Sequence, residues 1–213
     1  DIKVNYVQYF DTDSPVKRNA VLYANADFSL YEDFVKSIGE NTDLSVEEVI
    51  LSGSNNIVIK PKIEFNDFIR VDKKNNQVFF FEQLQLDDYF LISDTEVFFD
   101  WKITQESKSI AGYKSYKAEA WFRGRKWIAW FTPELNYSFG PWKLHGLPGL
   151  ILEAYDETRR YSFSAEQITF VKEPRLYVDF GELINVKFTT STYKDFLDKQ
   201  TEMRNNIFIN DKR

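Results

Sequence analysis

Hydrophobic and polar positions along this chain follow, for most of its length, a period of two. Near the N-terminus Val4, Tyr6, Gln8 and Phe10 alternate with Lys3, Asn5, Val7 and Tyr9, which predicts a strand with one face buried more deeply than the other. Thr12, Asp13, Ser14 and Pro15 are turn formers and end it. The runs 19–25 and 27–31 follow, as one bent strand or two. Ser45-Val46-Glu47-Glu48 then has the form of a capping box, with Leu44 ahead of it as a staple and Gly53 beyond it as a stop, and predicts a short helix. The period of two returns at 57–65, 68–71 and 78–81, the last two joined by the polar tip Asp72-Lys73-Lys74-Asn75-Asn76. Further strands are expected at 90–92 and around Trp101. After a turn at Gly112, strands 114–122 and 126–131 flank Arg123-Gly124-Arg125, and strands 150–155 and 160–163 flank Asp156-Glu157-Thr158-Arg159. Such a succession pairs each strand with its sequence neighbour in an antiparallel meander.

The period changes near the C-terminus. Tyr193, Phe196, Leu197, Gln200 and Met203 recur at helical spacing, and Thr192 with Asp195 makes a capping-box-like start, so an amphipathic helix is expected over 193–206. No internal repeat, low-complexity tract or Gly/Ser linker divides the chain, and 1–213 reads as a single domain. The expected fold is mainly β: an antiparallel, strongly curved sheet or partly open β-barrel, with a short helix and a C-terminal amphipathic helix that covers one face or an open edge.

The stretch from Phe139 to Glu153 departs most from the alternation. It holds Gly140, Pro141, Trp142, Gly146, Pro148, Gly149 and the only histidine, His145. Within it Leu147-Pro148-Gly149-Leu150 predicts a type II turn, because proline presets φ at the second position and glycine accepts positive φ at the third. Trp142, His145, Leu147, Pro148 and Gly149 are therefore the candidate interaction or structural loop.

Composition narrows the classes of function. Aromatic residues make up 17% of the chain, which favours strands. The net charge of −6, a pI near 5.0 and the dispersal of the basic residues argue against a nucleic-acid partner. The absence of cysteine removes disulfides, thiolate chemistry and Cys-based metal centres, and a single histidine removes a histidine-rich metal site, so no cofactor or metal is expected. No run approaches the roughly 18 apolar residues of a membrane-spanning helix. The chain enters a strand almost at once from Asp1, as a removed targeting segment or a trimmed chain would leave it.

Reactive constellations are sparse. Ser138 and Ser162 lack a Gly-x-Ser-x-Gly elbow, and His145 has no evident base-orienting neighbour, which favours a structural or interface role. Glu153 with Asp156, or Glu64, Glu82 and Glu119 in strands, could serve as glycosidase-type acids, but the separation that decides such a mechanism is not written in sequence. Asp11 with Asp13, and Asp87 with Asp88, lack the spacing of an EF-hand loop and read as solvated turns. Trp121, Trp127 and Trp130 are a candidate aromatic platform, weighed against simple core packing. Trp127 and Trp130 must point to opposite faces of their strand.

The segment Gly146-Leu147-Pro148-Gly149-Leu150-Ile151 spells a signature, and the blocks around it agree: Trp101-Lys102-Ile103, Ile110-Ala111-Gly112-Tyr113-Lys114, Arg123-Gly124-Arg125, Ala129-Trp130-Phe131-Thr132 and Phe139-Gly140-Pro141-Trp142-Lys143. On these residues the chain resembles the GLPGLI family of Bacteroidota, departing from its pattern at Leu144, where an aromatic is common, and near Ser115, where a cysteine is. The resemblance implies an exported protein, its signal peptide removed, in the periplasm or associated with the outer membrane, often encoded beside TonB-dependent transporters; it carries no catalytic residues. The expected function is a non-enzymatic cell-envelope interaction protein, an accessory subunit bound to an outer-membrane protein complex such as a TonB-dependent transporter. The alternative is a periplasmic carrier or chaperone for a lipid or apolar peptide held in a curved β cavity. An unrecognised carboxylate-based hydrolase is the third.

Overall fold

Strand β1 (Ile2–Phe10) lies near the middle of one sheet, and its alternation is the one the sequence predicts: Ile2, Val4, Tyr6 and Gln8 are buried on one face. The structure is a computed structural model and describes residues 1–33, 67–85, 88–173 and 188–210. On one side of β1 the chain runs as a meander through β2 (Val16–Ala24), β3 (Phe28–Asp33), β4 (Asp67–Asp72), β5 (Gln77–Gln85) and β6 (Asp88–Asp94). The runs 19–25 and 27–31 are thus two paired strands. A second meander comprises β7 (Lys102–Ile110), β8 (Tyr113–Phe122), β9 (Arg125–Thr132), β10 (Leu150–Asp156) and β11 (Tyr161–Phe170). The antiparallel pairing of β1 with β11, from Ile2 opposite Phe170 to Phe10 opposite Tyr161, fuses the two meanders. The helix expected near Ser45 and the strand expected at 57–65 lie outside the described residues.

Pairing departs from a simple meander at one further place. Strand β6 takes as its outer neighbour not β7 but β12 (Phe188–Thr192), in parallel, so the sheet is mixed, with β12 and β7 as its unjoined edges. Residues 95–101 are not a strand: they carry the chain across from β6 to β7 while Val97 and Phe99 turn into the core. Trp101 stands just before β7, its indole N–H donating to the His145 carbonyl at 2.8 Å.

The sheet curves strongly. The face of β1 that carries Val4 and Tyr6 shares one apolar cluster with Phe80 of β5, Phe90 of β6, Trp127 of β9 and Phe163 of β11, which a flat sheet of this width cannot bring together. Helix α1 (Tyr193–Asn210) follows β12 directly and is capped as its sequence predicts, with Thr192 Oγ1 accepting the Asp195 amide at 3.1 Å and donating to the Asp195 carboxylate at 2.8 Å. Its buried Phe196 packs edge-on against Phe90, and Tyr193 lies over Phe80, so the helix covers the concave face near the β12 edge. Among the described residues no helix is long and apolar enough to cross a membrane.

The two ends of the curved sheet meet at a seam. Arg123, in the turn between β8 and β9, donates to Asp94 at the end of β6 at 2.6 Å, and its guanidinium lies 3.9 Å from the centre of the Tyr193 ring. Although strands β6 and β8 make no ladder, these side chains tie them together. The result is a partly open barrel.

Candidate functional site

The loop between β9 and β10 folds into the concave side. Phe139, Leu144 and Leu147 are fully buried there, and Phe139 and His145 form an isolated antiparallel bridge that pinches the loop at its base. Leu144 N donates to Pro141 O at 3.1 Å, closing a tight turn whose second residue, Trp142, has φ +55°. A left-handed conformation costs a bulky residue about 1–2 kcal/mol. That strain is held by packing: the Trp142 indole stacks on Trp127 with centroids 5.4 Å apart and meets Phe122 edge-on.

At the other end of the loop the expected type II turn does not form. Gly149 N donates to Leu147 O at 2.8 Å, closing a three-residue turn about Pro148, while Leu150 N donates to Leu135 O instead. Gly149 has φ +154°, and a Cβ there would collide with the Thr132 carbonyl oxygen. Glycine is required at this position by the close approach of the β9 backbone as much as by its own dihedral angle.

This arrangement aims Lys143 into a cavity of about 500 Å³ between the loop, the sheet and the start of α1. Lys143 is only 5% exposed. Its Nζ lies 3.1 Å from the centre of the Phe80 ring, 5.4 Å from that of Tyr193 and 5.7 Å from that of Trp142. Burial lowers its pKa to about 8, with Arg123 adding to the shift and Asp94 and Glu82 opposing it.

Arg18, Arg123 and Arg125 also line the cavity, and each is matched to a carboxylate: Arg18 to Asp33 at 3.3 Å, Arg123 to Asp94 at 2.6 Å, Arg125 to Asp156 at 3.0 Å. Burial pushes the Asp33 carboxyl above its ordinary value, opposed by Gln8 and Arg18. Gln8 Oε1 accepts from the Tyr31 hydroxyl at 2.9 Å. The Gln8 amide nitrogen and Asp33 Oδ1 are near enough to influence each other, yet neither completes a hydrogen bond. Asp156 behaves differently: burial alone would raise it, but Thr158, the Tyr161 amide and Arg125 together hold it below the usual carboxylate value.

The candidate residues thus separate. His145 sits behind the cavity with Nδ1 donating to the Lys143 carbonyl at 2.8 Å, and burial lowers its pKa, so the ring is neutral and structural in its contacts. The three tryptophans do not share a surface: Trp127 is buried in the cavity wall, Trp130 is buried on the convex face beneath Lys108, and Trp121 is 68% exposed. Glu153 pairs with Lys108 at 2.7 Å while Asp156 binds Arg125, so these two carboxylates do not act as a pair. Glu119 is bound by Lys117 and Lys126, Glu82 lines the cavity, and Glu64 lies outside the described residues. Among the described residues no three His, Asp or Glu side chains converge as metal ligands. A shallower depression of about 760 Å³ beside β12 and α1 is lined by Asp195, Asp198 and Lys199, all exposed, and contains no buried charge.

Residues 123–153 match a family model described as "Protein of unknown function (Porph_ging)". The matched stretch contains Arg123, Arg125, Trp127, Trp142 and Lys143, one wall of the cavity. No curated protein matches the chain. Among solved structures, PNGF-II in a C2 crystal form aligns with a TM-score of 0.61 at 18% identity over 93% of this chain, and PNGF-II in a second crystal form with 0.60 at 20% over 92%. The likeness is one of fold, and this chain spans only 32% of the PNGF-II chain. An uncharacterized conserved protein from Thermus thermophilus aligns more loosely, with a TM-score of 0.43 at 8% identity over 89% of this chain and 90% of its own.

Lys143, Arg123 and Arg125 escape sequence reasoning because a lysine or arginine in a Gly- and Pro-rich turn ordinarily faces water. Gln8 does leave a trace, as the polar member of the buried face of β1.

Proposed function

We propose that this chain is a non-enzymatic binding protein that holds a small amphipathic ligand in the concave cavity, the carrier alternative raised from its sequence. One observation carries the reading: the cavity is walled by Phe10, Phe80, Phe122, Trp127 and Phe163 yet contains a buried ammonium without a carboxylate partner among the described residues. Its volume of about 500 Å³ falls in the range of small-molecule sites, roughly 300–1,000 Å³, and the mixture of apolar wall with a few placed polar groups is what such sites have. Within the envelope setting implied by the family resemblance, a periplasmic or outer-membrane-associated carrier fits this chemistry.

Titration with the neutral, apolar fluorophore N-phenyl-1-naphthylamine tests it. Saturable binding, with energy transfer from the stacked Trp127 and Trp142, is expected. Lack of saturable binding overturns the reading.

The accessory-subunit reading draws support from the exposure of Trp121 on the convex face, opposite Lys126 across the β8–β9 pair. Co-purification of the chain with an outer-membrane protein after mild detergent extraction, weakened by Trp121→Ser, is its test. Recovery of the free chain alone counts against it.

A further inference from the structure

We propose that Lys143 is the anion-recognition residue of the cavity and that the ligand is an apolar monocarboxylate whose carboxylate pairs with Nζ. The inference rests on the cavity reading above and adds to it the charge of the ligand and the residue that reads it.

Charge matching within the cavity leads to Lys143. Arg18, Arg123 and Arg125 are each engaged by a carboxylate. Lys143 has the ring faces of Phe80, Tyr193 and Trp142 about its ammonium and, among the described residues, no carboxylate paired with it. Those faces stabilise positive charge, but a ring face is no substitute for the lone pairs that an ammonium's three N–H donors seek. A buried charge with unfilled donors is costly unless something completes it. The turn at Pro141–Leu144 also holds Trp142 in a left-handed conformation, and that geometry places Lys143 in the cavity rather than in solvent.

The remaining charges limit what can complete it. Asp33 and Glu82 also line the cavity, so a phosphate dianion would meet two carboxylates with one uncommitted cation to receive it. Phosphate sites usually offer forked arginines or several backbone amides, and here the arginines are already engaged. A single carboxylate needs one positive charge and accepts two or three N–H bonds. The aromatic walls then take the apolar remainder of the molecule.

The test compares cis-parinaric acid with its methyl ester, which share the apolar chain and differ in charge, by fluorescence titration of the unaltered protein and of Lys143→Met. The unaltered protein is expected to bind the acid more tightly than the ester by at least about tenfold, the scale of a hydrogen bond to a charged group. In Lys143→Met that preference is expected to vanish. Equal affinity for acid and ester in the unaltered protein overturns the inference and leaves the cavity reading standing. An acid preference that survives Lys143→Met places the anion contact elsewhere and overturns the assignment of Lys143. Saturable binding of neither compound overturns both the inference and the cavity reading.

Discussion

Lys143 Nζ lies 3.1 Å from the centre of the Phe80 ring, and no carboxylate among the described residues comes within ion-pairing distance of it. The loop between β9 and β10 and the far strand β5 are therefore joined across the trough by a cation held on an aromatic face. A double-mutant cycle with Lys143→Met and Phe80→Leu is expected to show a coupling of about 1–2 kcal/mol by urea denaturation, the range for a desolvated cation–π pair. Additive effects would mean that the contact contributes nothing to stability.

The same burial makes stability depend on alkaline pH. Folding lowers the Lys143 pKa from 10.5 to about 8, chiefly by burial, with Arg123 pushing the same way and Asp94 and Glu82 opposing. Between those values the unfolded chain binds more protons than the folded one, so the contribution of Lys143 to unfolding free energy rises with pH, by about 1.4 kcal/mol per unit at most. The stability of the unaltered protein relative to Lys143→Met should accordingly climb above pH 8. The preference for a carboxylate over its ester should fall over the same interval, as the ammonium loses its charge. A flat stability difference across that interval would contradict the burial of this charge.

Arg123 and Asp94 close the seam. Asp94 is almost wholly buried and Arg123 partly exposed. Removing the guanidinium by Arg123→Met leaves the buried carboxylate with the Glu96 amide at 3.1 Å but without its cation. A loss of about 2–3 kcal/mol is expected, short of the full cost of breaking an enclosed pair because water reaches the arginine side. Equilibrium denaturation measures it, and a loss below about 0.5 kcal/mol would assign the pair to the weak surface class.

Gly149 tolerates no side chain. A Cβ there meets the Thr132 carbonyl oxygen and the Pro133 backbone, so Gly149→Ala should cost roughly 3 kcal/mol or more, since backbone must move on both sides of the contact. An unchanged melting temperature would show that the loop is not fixed to β9 in this way.

Trp121 is the outlying fluorophore. It is 68% exposed whereas Trp127 and Trp130 are buried, so Trp121→Phe should remove most of the iodide-quenchable emission. Quenching that persists undiminished would place the accessible emission on the half-buried Trp101 or Trp142 instead.

Much of the fold is legible in the residues. The alternation of Val4, Tyr6, Gln8 and Phe10, the hairpin tips at Lys73–Asn76 and Arg123–Gly124, and the cap formed by Thr192 and Asp195 all depend on neighbours within a few positions, where local physics decides. The site was legible only in outline. The stretch from Phe139 to Glu153 stood out by its glycines, prolines and aromatics, yet its candidates Trp142 and His145 turn out to flank the charge-bearing residue between them. Lys143 carries no local mark of burial.

By itself, then, the chain's pattern determined where most of the described strands, their hairpin tips and the terminal helix form, because side-chain alternation and capping are set by residues one to four positions apart. It did not mark β7 or β12, and it placed a strand around Trp101 and a type II turn at Pro148–Gly149 that the structure does not have. Tertiary structure alone decided that β1 pairs with β11, that β12 enters beside β6 in parallel, and that the sheet curls until Arg123 reaches Asp94. It also decided that the turn at Trp142 directs a lysine inward. The physical reason is that such pairings are selected by how completely a whole face can be buried and how each enclosed charge is matched. Both depend on partners far away in the chain: 63 positions separate Lys143 from Phe80, by subtraction of their numbers.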